Sequence, residues 1–182
     1  MAHLLLITGG ARSGKSTLAI TMGETFGNRK IFVATCPPID EELVLRIERH
    51  KKERAHRNWD TIEEPTEIAA TLGRTSGYDV RVVDCLTLWV NNLMYHGNLK
   101  AKTVDEESIS TSCSELVQIC AGLSGTVIFV TNEVGSGIVP DNPSARRFQD
   151  LLGLCNRIMA KHADEVILTV CGLPLHLKKG LK

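Results

Sequence analysis

The sequence is poor in aromatic residues and has no excess of either charge. Phe, Trp and Tyr make up 4% of its 182 residues, and 21 Lys and Arg residues balance 21 Asp and Glu residues. Binding to nucleic acid or to an anionic membrane depends on a basic surface, and binding to single strands also depends on aromatic stacking. The composition therefore favours small molecules as partners and argues against nucleic acid.

The chain also lacks long apolar runs and paired cysteines. Its N-terminal apolar run is shorter than the core of a signal peptide, and no stretch approaches the roughly 20 residues of a membrane-spanning helix. The six cysteines include no C-x-x-C pair, which argues against a zinc site and a disulfide framework. With 182 residues, 43% of them hydrophobic, we expect residues 1–182 to form a single domain. Because the apolar runs are too short for a signal peptide or a membrane span, we expect the protein to be located in the cytoplasm.

One motif stands out near the N-terminus. Residues 9–16, Gly-Gly-Ala-Arg-Ser-Gly-Lys-Ser, match the P-loop pattern G-x-x-x-x-G-K-[ST] between a predicted strand and a predicted helix. Backbone N–H groups in such a loop, together with the helix N-terminus, attract phosphate. The predicted nucleotide-binding residues are therefore Gly9, Gly10, Ala11, Arg12, Ser13, Gly14, Lys15 and Ser16. Lys15 would contact the β- and γ-phosphates, and the Ser16 hydroxyl would bind Mg²⁺.

Five apolar segments predicted as strands alternate with segments predicted as helices. The strands are residues 4–8, 30–35, 79–84, 126–131 and 166–170, and the helices lie near residues 17–22, 40–55, 65–72, 86–95, 104–123 and 144–162. Residues 59–64 are predicted to be a short irregular or extended piece, and the C-terminus a short basic tail. The alternation predicts an α/β fold, a P-loop NTPase of the RecA-like type, with a mostly parallel central sheet flanked by helices.

Two features fall at carboxyl ends of predicted strands, where ligands bind in such sheets. Asp84 ends the third strand, a position at which P-loop proteins keep a carboxylate that holds Mg²⁺ directly or through water. Residues 132–143 follow the fourth strand and are rich in polar residues and glycine. We interpret this segment as a substrate loop in preference to an ordinary surface connection.

The predicted helix at residues 40–55 becomes basic towards its end. His50 continues the stripe formed by Leu43 and Ile47. The basic residues around it are Arg49, Lys51, Lys52, Arg54 and Arg57. From the pattern alone, a solvated helix face and an anion-binding face are both open.

Several longer stretches combine these motifs. They are residues 8–16, Arg46-Ile47 with His50, Arg54 and Trp59, residues 84–93, residues 131–140, and the helix from Arg146 to Arg157. Together they resemble the adenosylcobinamide kinase / adenosylcobinamide-phosphate guanylyltransferase family of cobalamin biosynthesis over nearly the whole chain. The blocks T-G-G-A-R-S-G-K-S and T-N-E-V-G-x-G-I-V-P are specific to that group.

The resemblance implies that one P-loop site, supplied with ATP or GTP and Mg²⁺, serves two reactions. The first phosphorylates the aminopropanol hydroxyl of adenosylcobinamide. The second transfers GMP from GTP to that phosphate through a guanylylated histidine, giving adenosylcobinamide-GDP and pyrophosphate. By position the histidine is His50, and the further nucleotide-binding residues are Thr35, Lys51, Arg54, Glu63 and Asp84. Some family members carry two adjacent histidines where this chain has Arg49-His50, and the family is trimeric.

Other functions are compatible with a P-loop. A kinase without guanylyltransferase activity would leave His50 as an ordinary helix histidine. His56 is the second candidate for the nucleophile and is predicted to lie beyond the regular helix. A regulatory GTP-binding module is disfavoured because the chain has no Asn-Lys-x-Asp motif, and a DNA-binding module is disfavoured by its balanced charge.

Overall fold

The structure is a computed structural model that describes residues 1–37, 47–48, 51–52 and 54–179. Most of the helix predicted at residues 40–55, including His50, lies outside the described residues. Residues 47–48, 51–52 and 54–56 are helical. His56 therefore still belongs to helical backbone, and its predicted place beyond the helix is wrong.

The described strands form one seven-stranded sheet with the order β3-β2-β4-β5-β1-β6-β7. They are β1 (His3–Gly9), β2 (Lys30–Ala34), β3 (Trp59–Glu63), β4 (Val80–Asp84), β5 (Thr126–Val130), β6 (Glu165–Val170) and β7 (Leu173–Lys178). All neighbouring pairs are parallel except β6 and β7, which are antiparallel. The predicted α/β fold with a mostly parallel sheet is confirmed.

Of these strands, β3 was predicted only as an irregular or extended piece, and β7 was not predicted. Residues 59–63 form β3 at one edge of the sheet, where only Trp59 is buried, so the segment lacks the apolar run that marks a central strand. The C-terminal tail contains β7, whose residues are all exposed. Edge strands bury little side-chain surface, and their sequences therefore resemble those of loops.

Five helices begin and end within the described residues. They are α1 (Lys15–Gly23), α2 (Ile68–Gly73), α3 (Leu86–Leu99), α4 (Glu106–Gly122) and α5 (Pro143–His162). Side chains cap two of them: Asp105 accepts a hydrogen bond from the Ser108 N–H, and Asn142 accepts from the Ser144 and Ala145 N–H groups. Within the described part of the chain, no helix has the length and apolar character needed to cross a membrane.

The helix predicted to begin at Pro65 begins three residues later. The Glu64 carboxylate accepts hydrogen bonds from the Thr66 and Glu67 N–H groups. Meanwhile the Trp89 indole donates to the Thr66 carbonyl and the Asn92 amide donates to the Pro65 carbonyl. These contacts hold the segment before Ile68 in a non-helical conformation.

The sheet is covered on both faces. One face contributes Leu6, Val83 and Phe129 to a core completed by buried residues of α3, α4 and α5. The other contributes residues such as Ile7 and Phe32 to a smaller core around α1. Burial on both faces explains why the central strands are continuous apolar runs and could be predicted from sequence.

Gly125, in the turn that leads into β5, provides a test of this arrangement. Its φ is +78°, and a Cβ atom there would lie 2.1 Å from the carbonyl oxygen of Asp79. We expect Gly125→Ala to lower the free energy of unfolding by about 1–3 kcal/mol, because it combines a left-handed backbone with a steric clash. Urea denaturation followed by circular dichroism measures this change.

Gly153→Ala is the matched control. Gly153 lies within α5, and apart from its chain neighbours and the backbone of its own helix an added Cβ there would have no heavy atom within 4 Å. Replacing a helical glycine in open space should raise the free energy of unfolding by about 0.5–1 kcal/mol. Equal stabilities for the two variants would contradict the described turn before β5.

Candidate nucleotide-binding site

The P-loop, residues 9–16, connects β1 to α1 at the carboxyl edge of the sheet. Gly9 and Gly14 have φ values of +151° and +95°, and Gly14 is the N-cap residue of α1. A Cβ on Gly9 would lie 2.4 Å from the Thr169 carbonyl oxygen on β6. The two glycines are therefore required by backbone conformation, and at Gly9 also by the close approach of β6.

Lys15 lies in the first turn of α1 and is only 7% exposed. Its Nζ donates a hydrogen bond to the Gly10 carbonyl oxygen at 2.6 Å and lies 3.5 Å from the Ser13 hydroxyl. Burial lowers the pKa of Lys15, while the negative charge of Asp84 acts in the opposite direction. The ammonium group thus lies folded over the loop, and a phosphate oxygen would be a stronger, charged partner for it.

Asp84 is half-buried at the end of β4 and interacts electrostatically with Lys15. β5 separates β4 from β1 in the sheet, so the predicted metal-binding carboxylate and the P-loop face the same edge. Ser16, the other predicted Mg²⁺ ligand, is exposed in the first turn of α1. A carboxylate and a hydroxyl oxygen are the ligand types that Mg²⁺ prefers, so this pair fits the cation.

Thr35 follows β2 and is fully buried. Its hydroxyl donates to the Cys85 carbonyl at 2.8 Å and accepts from the Cys85 N–H at 2.6 Å. The Asn92 amide in turn donates to the Thr35 carbonyl at 2.8 Å. These hydrogen bonds fix the backbone next to Asp84, so Thr35 helps to hold Asp84 in position.

Cys85 itself is buried. Burial raises the pKa of the Cys85 thiol to about 11, which keeps the thiol neutral.

Three other predicted nucleotide-binding residues lie near β2 and β3. Lys51 forms a salt bridge with Glu63 at 2.9 Å, and this hydrogen bond raises the pKa of Lys51. Arg54 is 7% exposed, with its guanidinium carbon 4.0 Å from the centre of the Phe32 ring. Its Nε donates to the Thr61 hydroxyl at 3.4 Å. The structure thus brings Lys51 and Glu63 into contact with each other, while His50 lies outside the described residues.

The turn between β6 and β7 supports the P-loop, and sequence reasoning did not predict it. The Gly172 N–H donates to the Ser13 carbonyl at 2.9 Å. A Cβ on Gly14 would lie 3.3 Å from the Gly172 Cα atom. The segment predicted as a basic tail therefore contacts the phosphate-binding loop directly.

Asn156 is another part of the site that sequence reasoning did not predict. It is 8% exposed on α5, and its amide nitrogen donates to the Asn132 carbonyl at 3.0 Å and to the Glu133 carboxylate at 3.1 Å. These bonds anchor the start of the loop predicted to bind substrate. The sequence did contain a signal, because Asn156 is a polar residue among the apolar residues of the buried face of α5. A buried amide needs hydrogen-bond partners, so its position predicts a specific contact.

A P-loop after the first strand, a carboxylate at the end of β4 and an intervening β5 define a P-loop NTPase. Two solved structures have the same fold. The flagellar accessory protein FlaH from Methanocaldococcus jannaschii matches with a TM-score of 0.55 and 14% identity, over 98% of this chain and 79% of that one. A prototypical ATPase from the type III secretion system of pathogenic bacteria matches with a TM-score of 0.59 and 14% identity, over 96% of this chain and 56% of that one.

Sequence comparison identifies the family. The family model described as cobinamide kinase / cobinamide phosphate guanyltransferase matches residues 5–177, and the chain belongs to this family. The bifunctional adenosylcobalamin biosynthesis protein CobP of Pseudomonas aeruginosa is 38% identical over 95% of this chain and 96% of its own length. The protein of the same description from Escherichia coli, CobU, is 34% identical over 96% of this chain and 99% of its own length.

Lys15→Ala tests the phosphate-binding role of the P-loop. The substitution removes the only ammonium group that the described P-loop residues present, so nucleotide turnover should fall on the order of a hundredfold or more. Lys100→Ala is the control, because Lys100 is exposed at the end of α3. Steady-state turnover of both variants would show the difference, and equal rates for Lys15→Ala and wild type would remove Lys15 from the mechanism.

Proposed function

We propose that this protein is a bifunctional enzyme of cobalamin biosynthesis. It phosphorylates adenosylcobinamide with ATP or GTP, and then transfers GMP from GTP to adenosylcobinamide phosphate. The observation that carries the proposal is the family match over residues 5–177, which includes an intact P-loop and its electrostatic partner Asp84. The relatives from Pseudomonas aeruginosa and Escherichia coli are described as bifunctional and match along nearly their whole lengths.

The P-loop residues would bind the triphosphate in both reactions. Backbone N–H groups of residues 9–16 and the ammonium of Lys15 neutralise the phosphate oxygens. Ser16 and Asp84 would hold Mg²⁺, which supplies further positive charge to the phosphates when it is bound. Thr35 maintains the position of the backbone beside Asp84 through its two hydrogen bonds to Cys85.

In the guanylyl transfer, His50 is the proposed nucleophile. A neutral imidazole nitrogen forms a bond to the α-phosphorus of GTP as the bond to pyrophosphate breaks, and the phosphate of adenosylcobinamide phosphate then displaces the histidine. Lys51, Arg54 and Glu63 are proposed to contact the guanine nucleotide. Because Lys51 and Glu63 form a salt bridge with each other, binding would have to reorganise that exposed pair, at a cost of about 0–1 kcal/mol.

We propose one catalytic domain over residues 1–182, since the seven described strands belong to a single sheet. A cytoplasmic location agrees with the free cysteines of the described structure and with the supply of nucleoside triphosphates. From the family resemblance we also propose that the protein forms a homotrimer. The exposed side chains of Leu173, Leu175 and Leu177 on β7 would provide apolar surface for contact between subunits.

Covalent labelling tests the nucleophile. Protein incubated with Mg²⁺ and GTP carrying label at the α-phosphorus should retain acid-labile, base-stable label, because a phosphoramidate on histidine has that stability. His50→Ala should retain none, while its phosphorylation of adenosylcobinamide continues, since that step needs no nucleophilic imidazole. His56→Ala is the matched control, because His56 is exposed and lies in the same basic segment.

The outcomes separate the alternatives. Label on His50→Ala but not on His56→Ala would make His56 the nucleophile and leave the reaction unchanged. Wild-type protein that phosphorylates adenosylcobinamide but never takes up label would be a kinase alone.

A further inference from the structure

The carboxylate of Glu133 lies beside the P-loop. Beyond the paired residues of β5 and β1, the Thr131 N–H donates to the Ile7 carbonyl at 2.9 Å and the Glu133 N–H donates to the Gly9 carbonyl at 3.2 Å. The backbone of Glu133 is thus hydrogen-bonded to the first residue of the phosphate-binding loop. Its position between β1 and β4 places it at the edge that carries Lys15 and Asp84.

The side chain of Glu133 is held by one of its two oxygens. Oε1 accepts hydrogen bonds from the Thr8 hydroxyl at 3.0 Å and from the Asn156 amide nitrogen at 3.1 Å. Both donors are buried, with exposures of 4% for Thr8 and 8% for Asn156. The carboxylate is therefore oriented by groups that are themselves fixed in the core.

The donors are also oriented. The Asn132 carbonyl can only accept, so the Asn156 group that contacts it at 3.0 Å is the NH₂, which also faces Glu133. The Asn156 oxygen accepts from the Thr131 hydroxyl at 2.7 Å. Glu133 thus receives a hydrogen bond whose direction is fixed by two independent contacts of Asn156.

The second oxygen of Glu133 is available for other contacts. Among the described residues, Oε2 makes no hydrogen bond or ion pair, and the residue is exposed. The network does not require a charge, because the amide oxygen of a glutamine could accept the same two hydrogen bonds. Asp84 is offset by the positive charge of Lys15, whereas the two donors to Glu133 are neutral groups, so its negative charge near the phosphate-binding loop opposes phosphate binding and favours a role in the reaction.

We propose that Glu133 is the general base of the kinase reaction, an inference that rests on the proposed function. As the hydroxyl oxygen of adenosylcobinamide bonds to the γ-phosphorus, the bond from that phosphorus to the bridging oxygen breaks and the nucleoside diphosphate leaves. The hydroxyl proton passes to Oε2 of Glu133 and then to solvent. Guanylyl transfer does not use this step, because its acceptor is an ionised phosphate oxygen with no proton to lose.

Glu133→Gln tests this role, because it keeps the hydrogen-bond acceptor and removes the base. Turnover of adenosylcobinamide phosphorylation should fall by about a hundredfold, with the KM for nucleotide unchanged. Transfer of GMP to preformed adenosylcobinamide phosphate should continue at the wild-type rate. Glu115→Gln, which alters an exposed carboxylate on α4, is the matched control and should leave both rates unchanged.

A second variant separates the chemical role from a structural one. In Glu133→Ala, added formate should partly restore phosphorylation, because a small carboxylate can occupy the vacated space and accept the proton. Wild-type phosphorylation without loss in Glu133→Gln would overturn the assignment. An equal loss of both reactions in Glu133→Gln would make the carboxylate a support of the shared P-loop and would also overturn it. Wild-type protein that transfers GMP but never phosphorylates adenosylcobinamide would instead overturn the proposed kinase activity.

Discussion

The site depends on keeping the ammonium of Lys15 charged in a place from which most water is excluded. Burial opposes the charge, and the structure supplies two compensating interactions, the Gly10 carbonyl at 2.6 Å and the negative charge of Asp84. Both partners require the backbone to be placed accurately. The conformations of Gly9 and Gly14, the approach of β6, and the turn between β6 and β7 all serve that placement.

The parallel sheet brings these groups together from distant parts of the sequence. β1, β4 and β5 all end at the same edge, so the P-loop, Asp84 and Glu133 become neighbours although they are far apart in the chain. Buried polar side chains then fix their orientation: Thr35 and Asn92 act beside Asp84, and Asn156 acts on Glu133. Such preorganised dipoles and charges are the main way in which a protein can stabilise phosphoryl transfer.

The parts of the molecule that the sequence predicted are those with strong local signals. The P-loop has a fixed motif, and the central strands are continuous apolar runs because both faces of the sheet are covered. β3 and β7 lacked that signal, since edge strands with exposed side chains resemble loops. The start of α2 was misplaced because contacts from Trp89 and Asn92, which are distant in sequence, determine it.

Within the candidate site, sequence reasoning proposed residues but could not give their contacts with each other. It proposed that Lys51, Arg54 and Glu63 bind the nucleotide. The structure adds that Lys51 forms a salt bridge with Glu63 and that Arg54 packs against Phe32. It also marked residues 132–143 as a substrate loop without recognising that Asn156, on a later helix, would orient the Glu133 carboxylate. Such pairings depend on the tertiary fold, and a single sequence contains no local pattern for them.

The proposed function requires one P-loop to serve both reactions, and the stoichiometry of nucleotide binding measures this. Calorimetric titration without corrinoid, using Mg²⁺ with α,β-methylene GTP and then β,γ-imido ATP, avoids turnover of either nucleotide. If both reactions use the same P-loop, one nucleotide binds per chain and either analogue completely displaces the other. Two nucleotides bound independently to one chain would show that the reactions use separate sites.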